Sequence, residues 1–145
     1  MFIKQVSVFL ENKPGMLGEL TGLLGNNGHD IMAISIADTQ SFGIIRMIFA
    51  EREIDGVLQL LRGAGYMAKV NNVICVVADD RPGGIHDLLV KIHDLKVSVE
   101  YLYTFIRPTK EKALVIIRLS EQENSVQRLA EQNIRIIRQF EVDQL

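Results

Sequence analysis

The sequence predicts an α+β protein of two tandem βαββαβ domains, each an antiparallel sheet with two helices on one face. One observation behind this prediction is an internal repeat: Asn12-Lys13-Pro14-Gly15-Met16-Leu17 returns as Asp80-Arg81-Pro82-Gly83-Gly84-Ile85, displaced by 68 residues. Another is that strand-like and helix-like spacing of apolar residues alternates in the same order in each half. We therefore expect a first domain over residues 1–71 and a second over residues 72–145.

In the first copy, apolar residues recur at two spacings, one typical of strands and one typical of helices, and these spacings predict the positions of the elements. Apolar residues that alternate over residues 3–10 are typical of a half-covered strand. A helix is expected to follow, because Pro14 suits a first helical position and leucines recur after it at helical spacing. The elements predicted for this copy are a strand at 3–10, a helix at 14–26, a hairpin of strands at 30–37 and 43–50, a helix at 54–64 and a strand at 66–70.

The second copy repeats this order. Its predicted elements are a strand at 74–78, a helix at 85–95, a hairpin of strands at 97–106 and 113–119, a helix at 121–131 and a strand at 134–139, followed by a tail at 141–145. Because crossover connections between strands are right-handed, the order βαββαβ favours the split-βαβ, ferredoxin-like topology in each copy. This topology serves many unrelated functions, so the function must come from the site.

Charge and composition argue against several classes of partner. The 145 residues carry 16 Lys and Arg against 18 Asp and Glu, a formal net charge of -2, with no basic run. Nucleic-acid binding normally requires a basic surface, so we expect no nucleic-acid partner. The sequence has a single cysteine, Cys75, and no apolar stretch long enough to span a bilayer, and we expect no amino-terminal leader. We expect no membrane partner and a cytoplasmic location.

The candidate metal and catalytic residues do not form a convincing set. His86 and His93 are seven residues apart on one predicted helix, about 10 Å along its axis, too far to share an ion. Cys75 lies in a mostly covered strand, where it is expected to be a small apolar filler. The first-strand loop has no Cys-x-x-Cys pair, which argues against a metal chaperone. We expect no enzyme activity, no cofactor and no metal site.

The repeated loop is the feature with chemical content. In both copies an Asn or Asp, a basic residue and Pro-Gly precede a helix, whose first backbone N–H groups attract a carboxylate. Asn12 or Asp80 beside that helix start is able to accept hydrogen bonds from an ammonium group. One loop therefore offers groups for both ends of an α-amino acid. The alternative is that Asx-x-Pro-Gly only caps the helix.

The loop and the residues after it resemble an ACT domain. In the second copy Asp80-Arg81-Pro82-Gly83-Gly84-Ile85 and the helix stripe are followed by Val97-Ser98-Val99-Glu100-Tyr101-Leu102. In the first copy the loop and helix are followed by Asp30-Ile31-Met32. The resemblance extends over nearly the whole chain as two consecutive copies. It implies a regulatory module that binds small ligands, mostly amino acids, at interfaces between paired domains.

The resemblance also implies which residues contact the ligand. These belong to the first loop and the start of the second strand of each copy: Asn12, Gly15, Met16, Leu17, Asp30 and Ile31, then Asp80, Gly83, Gly84, Ile85, Ser98 and Val99. The loop prolines Pro14 and Pro82 join this set. His29, beside Asp30, is a candidate for the pocket edge, with an ordinary loop histidine as the alternative. Gly84 is expected to add room that Met16 fills in the first copy.

Two functions from different classes follow. The first is an amino-acid sensor that alters a separate partner, such as a metabolic enzyme; the second is a structural pairing module without a ligand. We also expect a homodimer. Only Asn71-Asn72 separates the last strand of the first copy from the first strand of the second, which is too short a link for second-strand pairing within one chain. Either the two copies of one chain pack in another way, or that pairing, which also protects exposed strand edges, forms between chains, as we expect for a homodimer.

Overall fold

The computed structural model describes residues 1–11, 13–38, 41–106 and 112–145, and confirms the α+β class with antiparallel strands. In these residues the elements follow one another as β1 (Ile3–Glu11), α1 (Met16–Asn26), β2 (Ala33–Asp38), β3 (Phe42–Ile48), α2 (Ile54–Gly63), β4 (Met67–Asp79), α3 (Gly84–His93), β5 (Val99–Thr104), β6 (Lys112–Leu119), α4 (Gln122–Glu131), β7 (Ile136–Ile137) and α5 (Gln139–Val142). A single 3-10 turn, Glu51–Glu53, precedes α2. None of the helices in the described ranges is both long and apolar enough to cross a bilayer.

The chain divides into two compact units. The first unit, Lys4–Asn71, has the strand order β2-β3-β1-β4, as the ferredoxin-like topology predicts. Residues of α1 and α2 pack on the same side of this sheet, because they share one core with alternate residues of β1 and β3. That core consists of Val6, Val8, Leu10, Leu20, Leu24, Ile45, Met47, Phe49, Ile54, Val57, Leu61 and Ala68.

The second unit contains Asn72–Leu145 together with Met1–Ile3. Its strand order is β7-β4-β6-β5, and its two long helices, α3 and α4, contribute to one core with alternate residues of β4 and β6. The core consists of Ile74, Val76, Ala78, Leu88, Ile92, Leu95, Val115, Ile117, Leu119, Val126, Leu129 and Ile134. The repeated sequence therefore folds into two units of the same design.

β4 differs from the sequence-based expectation. Residues 66–70 and 74–78 were expected as separate strands joined by Asn71-Asn72, but Met67–Asp79 is one strand of 13 residues. The backbone carbonyl of Asn72 accepts hydrogen bonds from Arg118 Nη1 at 2.9 Å and Gln122 Nε2 at 2.6 Å. These side chains hold Asn72 in an extended conformation, so a pair of polar residues at this point does not interrupt the strand.

Further boundaries differ, and β2 begins at Ala33 and not at residue 30. The first helix begins at Met16 and not at Pro14, because Gly15 before it has a left-handed φ of 84°. The predicted strand 134–139 shortens to Ile136–Ile137, and part of the predicted tail forms α5. The expected turns at 38–41 and 107–112 fall partly outside the described residues.

Candidate functional site

The loop of the first unit presents the start of α1. Gly15 is the N-cap residue, in a left-handed conformation that glycine adopts at little cost. The Met16 N–H group donates to the Lys13 carbonyl at 3.3 Å, and the Glu19 N–H group donates to the Gly15 carbonyl at 3.0 Å. Asn12 lies outside the described residues, and Pro14 is exposed.

The second unit builds the same turn. Gly83 has the same φ of 84° as Gly15, and Asp87 N–H donates to its carbonyl at 2.9 Å. Asp80 and Pro82 are exposed. Within the described part of the chain, Asp80 forms no hydrogen bond or ion pair, and the N-cap position carries no side-chain bond. The Asp80 carboxylate therefore does not cap α3.

Gly84 does not leave the space that the sequence suggested. A Cβ atom built at Gly84 would lie 1.9 Å from the carbonyl oxygen of Asp79 and 2.9 Å from its carbon. The helix start is therefore packed directly against the end of β4, and backbone atoms of Asp79 fill the space that a side chain at Gly84 would need. The expectation that Gly84 adds room is wrong for this reason.

In the segment that precedes β2, two nitrogen groups meet at one carboxylate oxygen. Glu53 Oε1 accepts from the Asp30 N–H group at 3.2 Å and lies 3.3 Å from His29 Nδ1. Both the His29 and the Glu53 side chains are largely buried. Ile31 packs against the first-unit core. His29 is therefore held in place by an acidic partner that the sequence pattern did not reveal.

At the corresponding point of the second unit, Ser98 and Ser120 bond to each other. The Ser98 N–H group donates to Ser120 Oγ at 3.1 Å, and the Ser120 N–H group donates to the Ser98 carbonyl at 3.0 Å. Val99 packs against the second-unit core. On α4, the Oε1 atom of Gln122 is buried and has no hydrogen-bond partner in the described residues.

The candidate residues of each unit fall into two groups at opposite ends of a helix. Gly15, Met16 and Leu17 lie at the start of α1, whereas His29, Asp30 and Ile31 follow its end. A helix of 11 residues is about 16 Å long. In the second unit α3 separates the loop from Ser98 and Val99 in the same way. Neither unit by itself brings its two groups together.

Two cavities lie beside the loops, and they differ in chemistry. The aliphatic cavity of the first unit, about 150 Å³, has an apolar wall of Leu10, Met16, Leu17, Ile36, Gly43 and Ile45. Glu11 and Lys13 form its polar end, and their ion pair at 2.6 Å raises the pKa of Lys13 through the hydrogen bond from Lys13 to Glu11.

The charged cavity of the second unit, about 260 Å³, includes Asp79, Asp87, Lys91, Lys112 and Arg135. Asp79 bonds to Lys112, and this bond lowers the pKa of the Asp79 carboxyl group. Of the predicted site residues this cavity includes Gly84, whereas the aliphatic cavity includes Met16 and Leu17.

Sequence reasoning missed most of the aliphatic wall. Leu10, Ile36 and Ile45 come from three different strands, and only their pairing with one another places them at one cavity. One available signal was Ile36, which is apolar near the end of a hairpin strand and has Thr104 as its counterpart 68 residues later.

No group of three or more potential metal ligands occurs in the ranges that the structure describes. Cys75 is buried, and burial raises the pKa of its thiol to about 12. The thiol is therefore neutral at pH 7, which does not suit a nucleophile.

The comparisons with known proteins agree with the fold. The ACT domain pair family matches the chain over residues 1–145. A solved structure of a protein from Bacteroides thetaiotaomicron is similar with a TM-score of 0.86 and 28% sequence identity, covering 100% of this chain and 98% of that one. No match was found among curated proteins.

Two other similar structures are regulatory subunits of aspartate kinase. The one from Thermus thermophilus, in its ligand-free form, has a TM-score of 0.65 and 14% identity, covering 89% of this chain and 91% of that one. The one from Thermus flavus has a TM-score of 0.61 and 12% identity, covering 90% and 92%. At these identities the likeness shows a common fold.

Proposed function

Because this chain belongs to the ACT domain pair family, we propose that it is a non-catalytic regulatory protein that binds an L-amino acid at an interface between ACT domains. ACT domains are regulatory modules. The ligand is proposed to change the state of a separate partner, of which a metabolic enzyme is one class. The aspartate kinase regulatory subunits that share this fold carry such a role in their names.

The observation that carries this proposal is the helix start that occurs in both units. Gly15 and Gly83 take the same left-handed conformation and make no side-chain cap, so each helix begins with backbone N–H groups directed to the loop. Such a start favours a carboxylate. In the second unit Asp80 precedes the helix and has no partner in the described residues. Its carboxylate can therefore accept hydrogen bonds from the ammonium group of an amino acid.

The two-ended arrangement of the candidate residues supports an interface site. A helix about 16 Å long separates the loop group and the second-strand group of one unit. The carboxylate and the ammonium of an amino acid, which share one α-carbon, lie only a few ångströms apart. A ligand that contacts both kinds of group therefore requires the loop of one ACT domain and the second strand of another. We further propose that a homodimer supplies such pairs.

Binding is tested with a panel of the twenty amino acids, first by thermal shift and then by calorimetry. Because a ligand that binds only the folded state stabilises it by about 2.7 kcal/mol at a hundred times its Kd, a true ligand raises the melting temperature clearly. For the bound amino acid, Asp80→Ala or Asn12→Ala is expected to weaken the affinity by about tenfold, since each removes a hydrogen bond to a charged group.

Asp94→Ala is the matched control for Asp80→Ala. Asp94 is also exposed but lies at the other end of α3, so its loss should leave the affinity unchanged. Valine at Gly15 or Gly83 is a poorer test, because the φ of 84° strains any branched residue. If no amino acid binds to the unmodified chain, the sensor proposal fails and the structural pairing module is the better description.

A further inference from the structure

The aliphatic cavity of the first unit is open to an apolar group. Ile36 on its wall is 50% exposed, although it lies on the same face of β2 as Ile34, which packs against the core. Leaving an isoleucine half-exposed forgoes part of the free energy that its burial would contribute. A ligand group that covers Ile36 recovers it.

The size of the cavity limits what fits. A cavity of about 150 Å³ lined by aliphatic side chains is large enough to bind benzene. The side chains of leucine, methionine and phenylalanine are of this size. A charged side chain would lose its hydration against this wall without gaining a partner, because the two charged groups at the polar end, Glu11 and Lys13, already neutralise each other.

The second unit does not repeat this wall. Strand pairing fixes the correspondence: Ile34 pairs with Met47 in the first unit, and Leu102 pairs with Ile117 in the second. Leu102 therefore corresponds to Ile34, and two residues further on Thr104 corresponds to Ile36.

The same comparison applies to the other wall positions. Leu10 pairs with Gly43 and Ala78 pairs with Ala113, so Ala78 takes the place of Leu10. Met16 is replaced by Gly84, whose Cβ position is blocked by Asp79. Each of these changes removes apolar surface, so an aliphatic wall of this kind belongs to the first unit.

We propose that the aliphatic cavity selects the ligand: the first unit binds an L-amino acid whose side chain is aliphatic or a phenyl ring, of the size of leucine, methionine or phenylalanine. This rests on the proposed function, because it names the class of amino acid for a site at the same loop. The side chain enters between α1 and the β2–β3 hairpin. The α-carboxylate and α-ammonium groups stay outside the apolar wall, at the start of α1, as in the proposed function.

The first experiment compares amino acids on the full chain by calorimetry at neutral pH. Leucine, methionine and phenylalanine are expected to bind at least about tenfold more tightly than alanine, because each added methylene in an apolar pocket strengthens binding severalfold or more. Aspartate, lysine and serine are expected to bind no better than alanine. Tightest binding of a charged or polar amino acid would overturn the inference.

Two variants test the wall itself. Ile36→Thr installs the second-unit residue and is expected to weaken leucine binding by about tenfold while alanine binding stays the same. Gly43→Ala adds a methyl group whose nearest neighbours lie at 3.8 Å, so the strand tolerates it and the cavity becomes smaller. It should weaken phenylalanine binding more than alanine binding. The two variants are independent, so loss of folding in one leaves the other as a test.

Val90→Thr is the matched control for Ile36→Thr. Val90 is 48% exposed, almost the same as Ile36, but lies on α3 of the second unit. The Val90→Thr variant should bind leucine with the same affinity as the unmodified chain. If a polar amino acid binds and Ile36→Thr has no effect, the cavity inference fails while amino-acid binding stands. If no amino acid binds at all, both proposals fail.

Discussion

Gly84 shows how a single residue makes the two copies differ. The equivalent position of the first unit is Met16, whose side chain lines the aliphatic cavity. At Gly84 the Asp79 carbonyl occupies the space that a Cβ atom would need. The second helix therefore starts closer to its strand, and the loop of the second unit lacks the apolar wall of the first.

Gly84→Ala is expected to lower the free energy of unfolding by about 1–3 kcal/mol, because overpacking against a backbone carbonyl forces the helix start to move. Denaturant unfolding measures this change. Gly22→Ala is the control: Gly22 lies inside α1 with no atom within 4 Å of its Cβ position. That substitution should stabilise the chain by up to about 1 kcal/mol. Equal effects from the two variants would contradict the close contact at Gly84.

The sequence pattern predicts a tail at residues 141–145, where the structure has the end of α5. The Arg138 N–H group donates to Glu141 Oε2 at 2.9 Å, and Arg135 Nη2 lies 3.0 Å from Glu141 Oε1. Both hydrogen bonds lower the pKa of the Glu141 carboxyl group. Val142 at the end of the helix is fully buried. A buried apolar side chain and a carboxylate that caps the first turn thus support this helix of four residues.

Val142→Ala tests whether α5 contributes to stability. We expect the free energy of unfolding to fall by about 2 kcal/mol, from the lost transfer of two buried carbons and the cavity they leave. Phe140→Ala is the control in the same helix, since Phe140 is 57% exposed and should change stability by less than about 0.5 kcal/mol. A Val142→Ala variant as stable as the unmodified chain would show that the residues after Arg138 behave as a tail.

The second strand of each unit, β2 and β5, is an edge strand. In the described residues β2 pairs with β3, β5 pairs with β6, and neither has a second strand neighbour. Edge strands with free N–H and C=O groups tend to pair with another chain unless they are protected. This supports the homodimer. The short connection between the two copies supports it as well, because Asn71 and Asn72 are part of β4 and no loop separates the copies there.

Light scattering at micromolar concentration is expected to give about twice the chain mass of 16.3 kDa. The same measurement with the bound amino acid present shows whether the ligand strengthens the association, as it should if the site lies between chains. A mass near 16.3 kDa under both conditions would contradict the proposed homodimer.

Much of the architecture was predictable because its signals are local. The order of strands and helices follows from the spacing of apolar residues within short segments, and the duplication is visible in Asn12–Leu17 and Asp80–Ile85. Element ends were less predictable. Gly15 stops the helix from starting at Pro14, and the donors that keep Asn72 in a strand are 46 and 50 residues away.

A duplicated α+β fold of the ACT type was predictable from the residues alone, because a periodic pattern and a repeated motif are properties of neighbouring residues. The distribution of the candidate residues was not, since it follows from the folded chain. The tertiary structure separates the loop from the second-strand start by the length of a helix, joins Leu10, Ile36 and Ile45 at one cavity, and fills the space at Gly84 with Asp79. These outcomes depend on strand register and on distances between residues far apart in the chain, which no local pattern encodes.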